Sequence, residues 1–253
     1  MFAGRGGIGE THINKVAYKF IKDNCLWSFD GLSRYSKAVM LGKKAPLTFP
    51  PDAIEVKAVW VTFTPTDIAA GKQKTYYTAT LNNTTYGLVA LHVLTKDIPM
   101  WFWATFHHRD NPKNVDEVPS TYPQPKALAN TVWSNYVLGG TQGDFVTPTG
   151  KPTILSDFYV ENGFTRSSCI TCHANASGVP DPERTADGKL KRTSKGAIAA
   201  ALLAPQPAAA IGAPDFTAFE SDGKLAFPPT DFVWSIPFRA KEEKAPPPAR
   251  CLI

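Results

Sequence analysis

Ile54-Glu55-Val56-Lys57-Ala58-Val59-Trp60-Val61-Thr62-Phe63-Thr64 is the stretch that decides the fold. Ile54, Val56, Ala58 and Trp60 alternate with Glu55, Lys57, Val59 and Val61, the period of two expected of a half-buried strand. A proline-rich break, Pro46 to Pro51, separates it from an upstream segment of different period. There Ile13, Val16, Ala17, Phe20 and Ile21 recur at helical spacing, and the pattern predicts a packing helix over Thr11 to Asp23 with Thr11 as N-cap. Downstream, strands are predicted at Lys74 to Leu81, Tyr86 to Leu94 and Met100 to Phe106. Asn82-Asn83-Thr84 joins the first two as a hairpin, and a longer loop ending at Pro99 precedes the third, so the pairing should be antiparallel. Tyr86 to Leu94 is apolar on both faces and belongs in the middle of a covered sheet.

Further along, a long loop spans Asp110 to Pro125, Ala127 to Tyr136 reads as a short helix, Ser194 to Leu203 as an Ala-rich helix, and Thr230 to Phe238 as a final strand. The fold class expected is α+β: one domain over 1–253, an antiparallel β-sheet with helices and long Pro-rich loops. Residues 1–10 are expected to form a flexible leader and 244–253 a flexible tail. The 22 prolines in 253 residues are about 9%, against a usual ~5%, and disfavour a helical bundle.

The scarce residues carry the chemistry. Two of four cysteines and one of five histidines stand together as Cys169-Ile170-Thr171-Cys172-His173. This is the C-x-x-C-H pattern of haem c attachment. Two thiols one helical turn apart can each add to a porphyrin vinyl group, and the adjoining imidazole is then aimed at the iron. Chance would produce the pattern in on the order of one in a thousand chains of this composition. Zinc would need two further ligands, and His173, bonded directly to Cys172, is badly placed to share a metal with both thiols. A thioredoxin-like redox pair would follow a strand and open a helix, a pattern that Phe158 to Ser168 lacks. The expected cofactor is one covalent haem c held by Cys169, Cys172 and His173, with the helices packed around it.

Charge and hydropathy exclude other classes. Net charge is +5, and the basic residues are scattered among prolines and acids, which is not a nucleic-acid-binding face. No apolar stretch approaches the ~20 residues of a transmembrane helix. Arg184, Lys189, Lys191, Arg192 and Lys195 form a basic stretch that reads as a solvated loop and whose charge would suit an acidic redox partner protein. Gly4, Gly6 and Gly9 match G-x-G-x-x-G, but no strand precedes them, so a dinucleotide site is not expected. Covalent haem attachment places the chain in the periplasm or another extracytoplasmic compartment. The first residues lack an apolar h-region, so this is expected to be a mature form without its signal peptide. Cys25 and Cys251 either pair there or, for Cys25, form a small buried thiol.

Tyr86-Gly87-Leu88, the run Trp101, Trp103, Ala104, Thr105, Phe106, His108, Asp110 and Asn111, then C-x-x-C-H, then Asp231-Phe232-Val233-Trp234, together resemble a bacterial family of monohaem c-type cytochromes. That family carries W-x-W-A-T-F-E-H-x-D-N before the haem motif; here His107 stands where the glutamate would be. More distantly, strands, then C-x-x-C-H, then an aromatic segment is similar to the sheet-rich cytochromes c-prime and the hydroxylamine-oxidising monohaem cytochromes, in which an antiparallel sheet lies against the haem. The chain departs from these by its long insertion between His173 and Thr230. It also has no lysine matched to the one that cross-links to haem in the hydroxylamine enzymes, which disfavours catalysis.

The sixth iron position then separates electron carriage from small-ligand chemistry. Strand alternation places His108 with Phe102, Ala104 and Phe106, and His107 with Trp101, Trp103 and Thr105. His92 lies with Leu88, Ala90 and Leu94, an unusual polar group on an apolar face. His108 is the first candidate distal ligand and His92 the second; Met100 and Met40 have no clear route to the iron, and His12 belongs at the start of the first helix. The leading expectation is an electron carrier rather than an enzyme, with His173 proximal and a strand histidine distal. The alternative is an open-site haem protein for nitric oxide, hydroxylamine or peroxide.

Overall fold

The structure, a computed structural model, describes residues 7–112, 123–161, 166–181, 183–187, 189, 191, 211–243 and 246–252. The loop expected between Asp110 and Pro125 lies largely, and the helix expected over Ser194 to Leu203 wholly, outside the described residues. One domain was expected over 1–253; the backbone instead gathers into two compact units, Met1–Ile13 with Ile54–Cys169, and Asn14–Ala53 with Ile170–Ile253.

The first unit is built on the antiparallel sheet. Its strands are β1 (Ile8–Ile13), β2 (Ile54–Thr62), β3 (Thr78–Leu81), β4 (Thr84–Thr95), β5 (Phe102–His108) and β6 (Tyr136–Gln142). They lie in the order β1-β2-β4-β5-β6, with β3 beside the start of β4. Asn82 and Asn83 both take left-handed φ, 48° and 59°, the geometry a two-residue hairpin needs and asparagine tolerates. A register shift at Val59/Trp60 lets successive residues of β4 be buried, and both faces of the strand are packed. On one face Val59, Val61, Phe63, Tyr76, Val89, Ala90 and Tyr159 cluster; on the other, Ala58, Leu88 and Tyr136 pack with Trp60, Leu91 and Trp133. Each fully buried valine or leucine contributes roughly 1.5–3 kcal/mol. Gly87 is required by close packing, because a Cβ there would lie 2.3 Å from the Phe63 ring.

The leader expected over residues 1–10 is replaced at residues 8–10 by the start of β1, which runs on through Ile13. Gly9 faces Val59 and Ile13 faces Glu55 in a regular edge ladder, and Glu10 accepts a hydrogen bond from the Trp60 indole at 3.0 Å. Because β1 occupies these residues, the following helix α1 starts only at Lys15 (Lys15–Asp23), and Asn14 rather than Thr11 is its N-cap, accepting from the Ala17 amide at 3.0 Å. Ala127 to Tyr136 holds two 3-10 turns, Lys126–Leu128 and Val132–Asn135, where a helix was expected, and Tyr136 opens β6. A short α3 (Pro65–Ala69) opens with a capping box between Thr64 and Asp67.

The second unit holds α1 and α2 (Phe29–Met40), then α4 (Cys169–Ala174), which begins at the last residue of the first unit. It continues through a two-strand ribbon, β7 (Glu220–Ser221) and β8 (Lys224–Leu225), to α5 (Ser235–Arg239). Ser28 caps α2 by accepting from the Gly31 amide, and Gly31 lies so close to the Cys25 carbonyl that a Cβ would sit 1.9 Å away. Cys25 and Cys251 form a disulfide with Cα atoms 5.7 Å apart. Beside it Arg34 donates to the Glu243 carboxylate and, through Nε, to the Cys251 carbonyl at 3.0 Å. The segment 246–252, expected as flexible tail, is thus fastened at its end. Thr230 to Phe238 is not a strand: Asp231 and Phe232 take left-handed φ of 52° and 68°, which breaks extension, and α5 follows with Pro237 in its first turn, where a missing N–H costs nothing. Among the described residues no helix is long and apolar enough to cross a membrane.

Candidate haem attachment site

The short helix α4 presents the motif. Its first cysteine is fixed within the first unit: the Leu155 carbonyl accepts from the Cys169 amide at 3.2 Å and from its Sγ at 3.1 Å. The preceding residue is held too, since Gln142 on β6 donates from Nε2 to Ser168 Oγ at 2.9 Å and to Thr153 Oγ1 at 2.8 Å. Cys169, Ile170 and Thr171 are all buried.

The rest of the motif is held in the second unit by a segment some sixty residues away. Gly178 donates to the Pro228 carbonyl, Ser177 bridges Pro229, and the Thr230 amide donates to the Ala176 carbonyl at 2.8 Å. The two left-handed residues Asp231 and Phe232 then turn the chain back. Asp231 Oδ2 accepts from the Phe49 amide at 2.7 Å, and the Phe232 carbonyl meets His173 Nδ1 at 2.8 Å. The Trp234 indole donates to the Cys172 carbonyl at 2.9 Å. Thr171 donates to the Gly212 carbonyl, and Asn175 to the Thr171 carbonyl, which fixes the helix at both ends.

A carbonyl can only accept, so the proton of a neutral His173 sits on Nδ1 and the lone pair is on Nε2. Second-layer carbonyls orient metal-binding histidines in this way. Cys169 and Cys172 both carry thiols. Two thiols at the helical spacing of C-x-x-C, followed by an imidazole whose lone pair is left on Nε2, fit haem c. Among the described residues no group of three or more His, Cys, Asp or Glu gathers as a ligand set; a haem asks the chain for axial ligands only.

The strand histidines separate into two kinds. His108, 1% exposed, stacks on Tyr76 with ring centroids 3.6 Å apart. Its Nε2 meets the Thr75 carbonyl at 3.2 Å, and its Nδ1 accepts from the Asp110 amide at 3.2 Å. Burial pushes its pKa below the usual value, against the Thr75 bond and the Asp110 charge, and burial likewise raises that of Tyr76. With both ring nitrogens engaged by backbone, His108 is a packed structural histidine rather than the distal ligand expected from its strand position. His92 lies on the opposite face of the sheet, buried, in register with Thr105, whose Oγ1 is 3.1 Å from His92 Nδ1. His107 pairs with Ala90 on that same face and lies against Gly139, where a Cβ would be 2.9 Å from its Nδ1. His12 sits in β1 beside Glu10, Met40 ends α2 exposed, and the Met100 carbonyl accepts from the Trp103 indole.

The supporting residues Phe232 and Trp234 had a signal in the sequence, the Asp231-Phe232-Val233-Trp234 block of the family resemblance, but its aromatic content reads as a strand. In the basic stretch Arg184 pairs with Asp30, Lys189 with Asp187 and Lys191 with Glu183, so its described charges are largely balanced locally. Comparison with protein-family models, with curated proteins and with solved structures returned no match.

Proposed function

We propose that this chain is a monohaem c-type cytochrome of the bacterial family it resembles, carrying electrons outside the cytoplasm. The observation that carries the reading is the His173 Nδ1 contact to the Phe232 carbonyl beside two thiols spaced for thioether attachment. Cys169 and Cys172 tether the haem, and His173 is the proximal ligand. When bound, the haem supplies a one-electron iron couple that needs no substrate on the metal. The Phe232 carbonyl holds the proton on Nδ1, and the Trp234 and Thr171 bonds keep α4 in place. For the sixth position His92 replaces His108 as the strand ligand, because both nitrogens of His108 are already bonded to backbone. The Cys25–Cys251 disulfide supports an oxidising compartment. A redox protein is the partner this role requires; the local pairing of Arg184, Lys189 and Lys191 argues against an acidic dock on that stretch.

One observation favours a second reading. The engagement of His108 removes the first-choice sixth ligand, and an iron left open would bind nitric oxide, hydroxylamine or peroxide instead. Two measurements decide. Haem stain should survive denaturing electrophoresis and be lost in Cys169→Ala/Cys172→Ala; absent staining of the parent overturns the haem assignment. Optical and paramagnetic resonance spectra should show low-spin iron that turns high-spin in His92→Ala. High-spin iron that binds carbon monoxide rapidly in the parent would overturn electron carriage in favour of the open site.

A further inference from the structure

The face of the sheet opposite His92 carries an open apolar cavity of about 290 Å³. Its floor is a row across three adjacent strands: Leu91 on β4 faces Phe106 on β5, and Phe106 faces Leu138 on β6. All three are only half-buried, although β4 and β5 are interior strands of the sheet. Trp133 and Tyr136 form one wall, and Pro123 to Pro125 with Leu128 form the rim.

No lining residue is charged. The Tyr136 hydroxyl and the Gln124 amide nitrogen are engaged with backbone. Tyr136 donates to the Leu88 carbonyl at 2.7 Å and accepts from the Tyr77 amide at 3.0 Å, while the Gln124 amide donates to the Tyr136 carbonyl. An ionic ligand would lose its hydration here with nothing to replace it. Flat side chains from Phe106, Trp133 and Tyr136 favour a flat partner through offset stacking and edge contacts, and Trp133 is itself braced by stacking on Tyr77 at 4.8 Å. At an interior packing density of ~0.74 the volume accommodates on the order of a dozen heavy atoms.

We propose that this cavity is a binding site for an uncharged aromatic molecule of one or two rings. The site stands apart from the haem reading, since it uses none of Cys169, Cys172, His173 or the strand histidines. Leu91, Phe106 and Leu138 supply the apolar contact area, Trp133 and Tyr136 the stacking surface, and the proline rim a mouth with little conformational freedom to lose on binding.

The test is calorimetric titration of the full chain with 1-naphthol, with 1-naphthalenesulfonate as the charged counterpart. Saturable 1:1 binding of naphthol is expected, with the sulfonate at least about tenfold weaker. Leu138→Trp, which fills the floor, and Leu128→Trp, which fills the rim, should each weaken naphthol about tenfold or more while the far-ultraviolet circular dichroism stays unchanged. The second variant keeps the test valid where the first disturbs the sheet. Absence of saturable naphthol binding overturns the proposal, as does binding by both filled variants that is undiminished from the parent, which would place the probe elsewhere. Equal affinity for the sulfonate would overturn the assignment to neutral ligands.

Discussion

Glu161 should make the protein lose stability as pH rises through the mildly acidic range. Burial raises its carboxyl pKa from 4.5 to about 7, against the hydrogen bond it accepts from the Asp157 amide at 2.6 Å and the attraction of Lys57, and with the like charge of Asp157 adding to the rise. Between those two values the folded state holds a proton that the unfolded state has released. Stability therefore falls with rising pH, by up to about 1.4 kcal/mol per pH unit, and the whole window amounts to on the order of 3 kcal/mol. His108 acts in the opposite sense. Its pKa is lowered on folding, so below its ordinary value the unfolded state takes up the extra proton, and stability rises with pH as that imbalance is removed. The two slopes offset each other in the parent, and comparison with Glu161→Gln isolates the carboxyl, because the glutamine oxygen can still accept from Asp157. Urea unfolding at half-unit steps between about pH 4.5 and 7.5 is the assay, with stability extrapolated to water at each step. Glu161→Gln should gain on the parent progressively with pH, by on the order of 3 kcal/mol across the window. Stability curves that run parallel to within ~0.5 kcal/mol would refute the reasoning.

Cys25→Ala with Cys251→Ala should lower unfolding stability by on the order of 3–5 kcal/mol, because the bond closes a loop of sequence separation 226 in the unfolded chain; a urea midpoint unchanged from the oxidised parent and insensitive to reductant would contradict this. His108→Ala should cost about 3 kcal/mol through the lost stack on Tyr76 and two lost hydrogen bonds, yet leave the haem spectrum untouched. A spectral change in that variant would return His108 to the iron. Trp234→Phe keeps a ring to stack on Phe238 but removes the donor to the Cys172 carbonyl, and should cost about 1 kcal/mol in chemical unfolding of the haem-loaded protein; an unchanged midpoint would mean that the bond does not support the helix.

What could be read from the amino acids and what could not divides along physical lines. β2 and β4 were legible because they alternate or run apolar over many residues and the β3–β4 connection is a two-asparagine hairpin. β1 was not, since an exposed edge strand needs no apolar alternation and Ile8–Ile13 offers almost none. β6 was hidden by Gly139 and Gly140, which lower strand propensity but are needed there: Cβ atoms at these positions would fall 2.9 Å from His107 Nδ1 and 2.9 Å from Leu155 Cδ1. The helix α2 escaped notice for a related reason, a glycine inside its first turn that the nearby Cys25 carbonyl demands.

The same division holds at the proposed haem site, with a consequence for how its chemistry would be set. C-x-x-C-H is local, so five consecutive residues suffice to announce it. The group that fixes the His173 tautomer lies 59 positions away, and the donor to Cys172 lies 62 away. Neither acts through a side chain that names its role: one is a main-chain carbonyl, the other an indole that reads as strand or core. What brings them to the motif is a pair of consecutive left-handed residues, Asp231 and Phe232, that carry side chains where glycine would be easier. Such conformations cost of order 1 kcal/mol or more each and persist only where the surroundings enforce them. Here the Thr230 amide on the Ala176 carbonyl and the Phe49 amide on Asp231 supply that enforcement from both sides of the turn. The His173 imidazole is therefore oriented by backbone shape. A neutral carbonyl at Nδ1 leaves the ring less electron-rich than a carboxylate would, so in the proposed haem site an iron held by Nε2 would be easier to reduce.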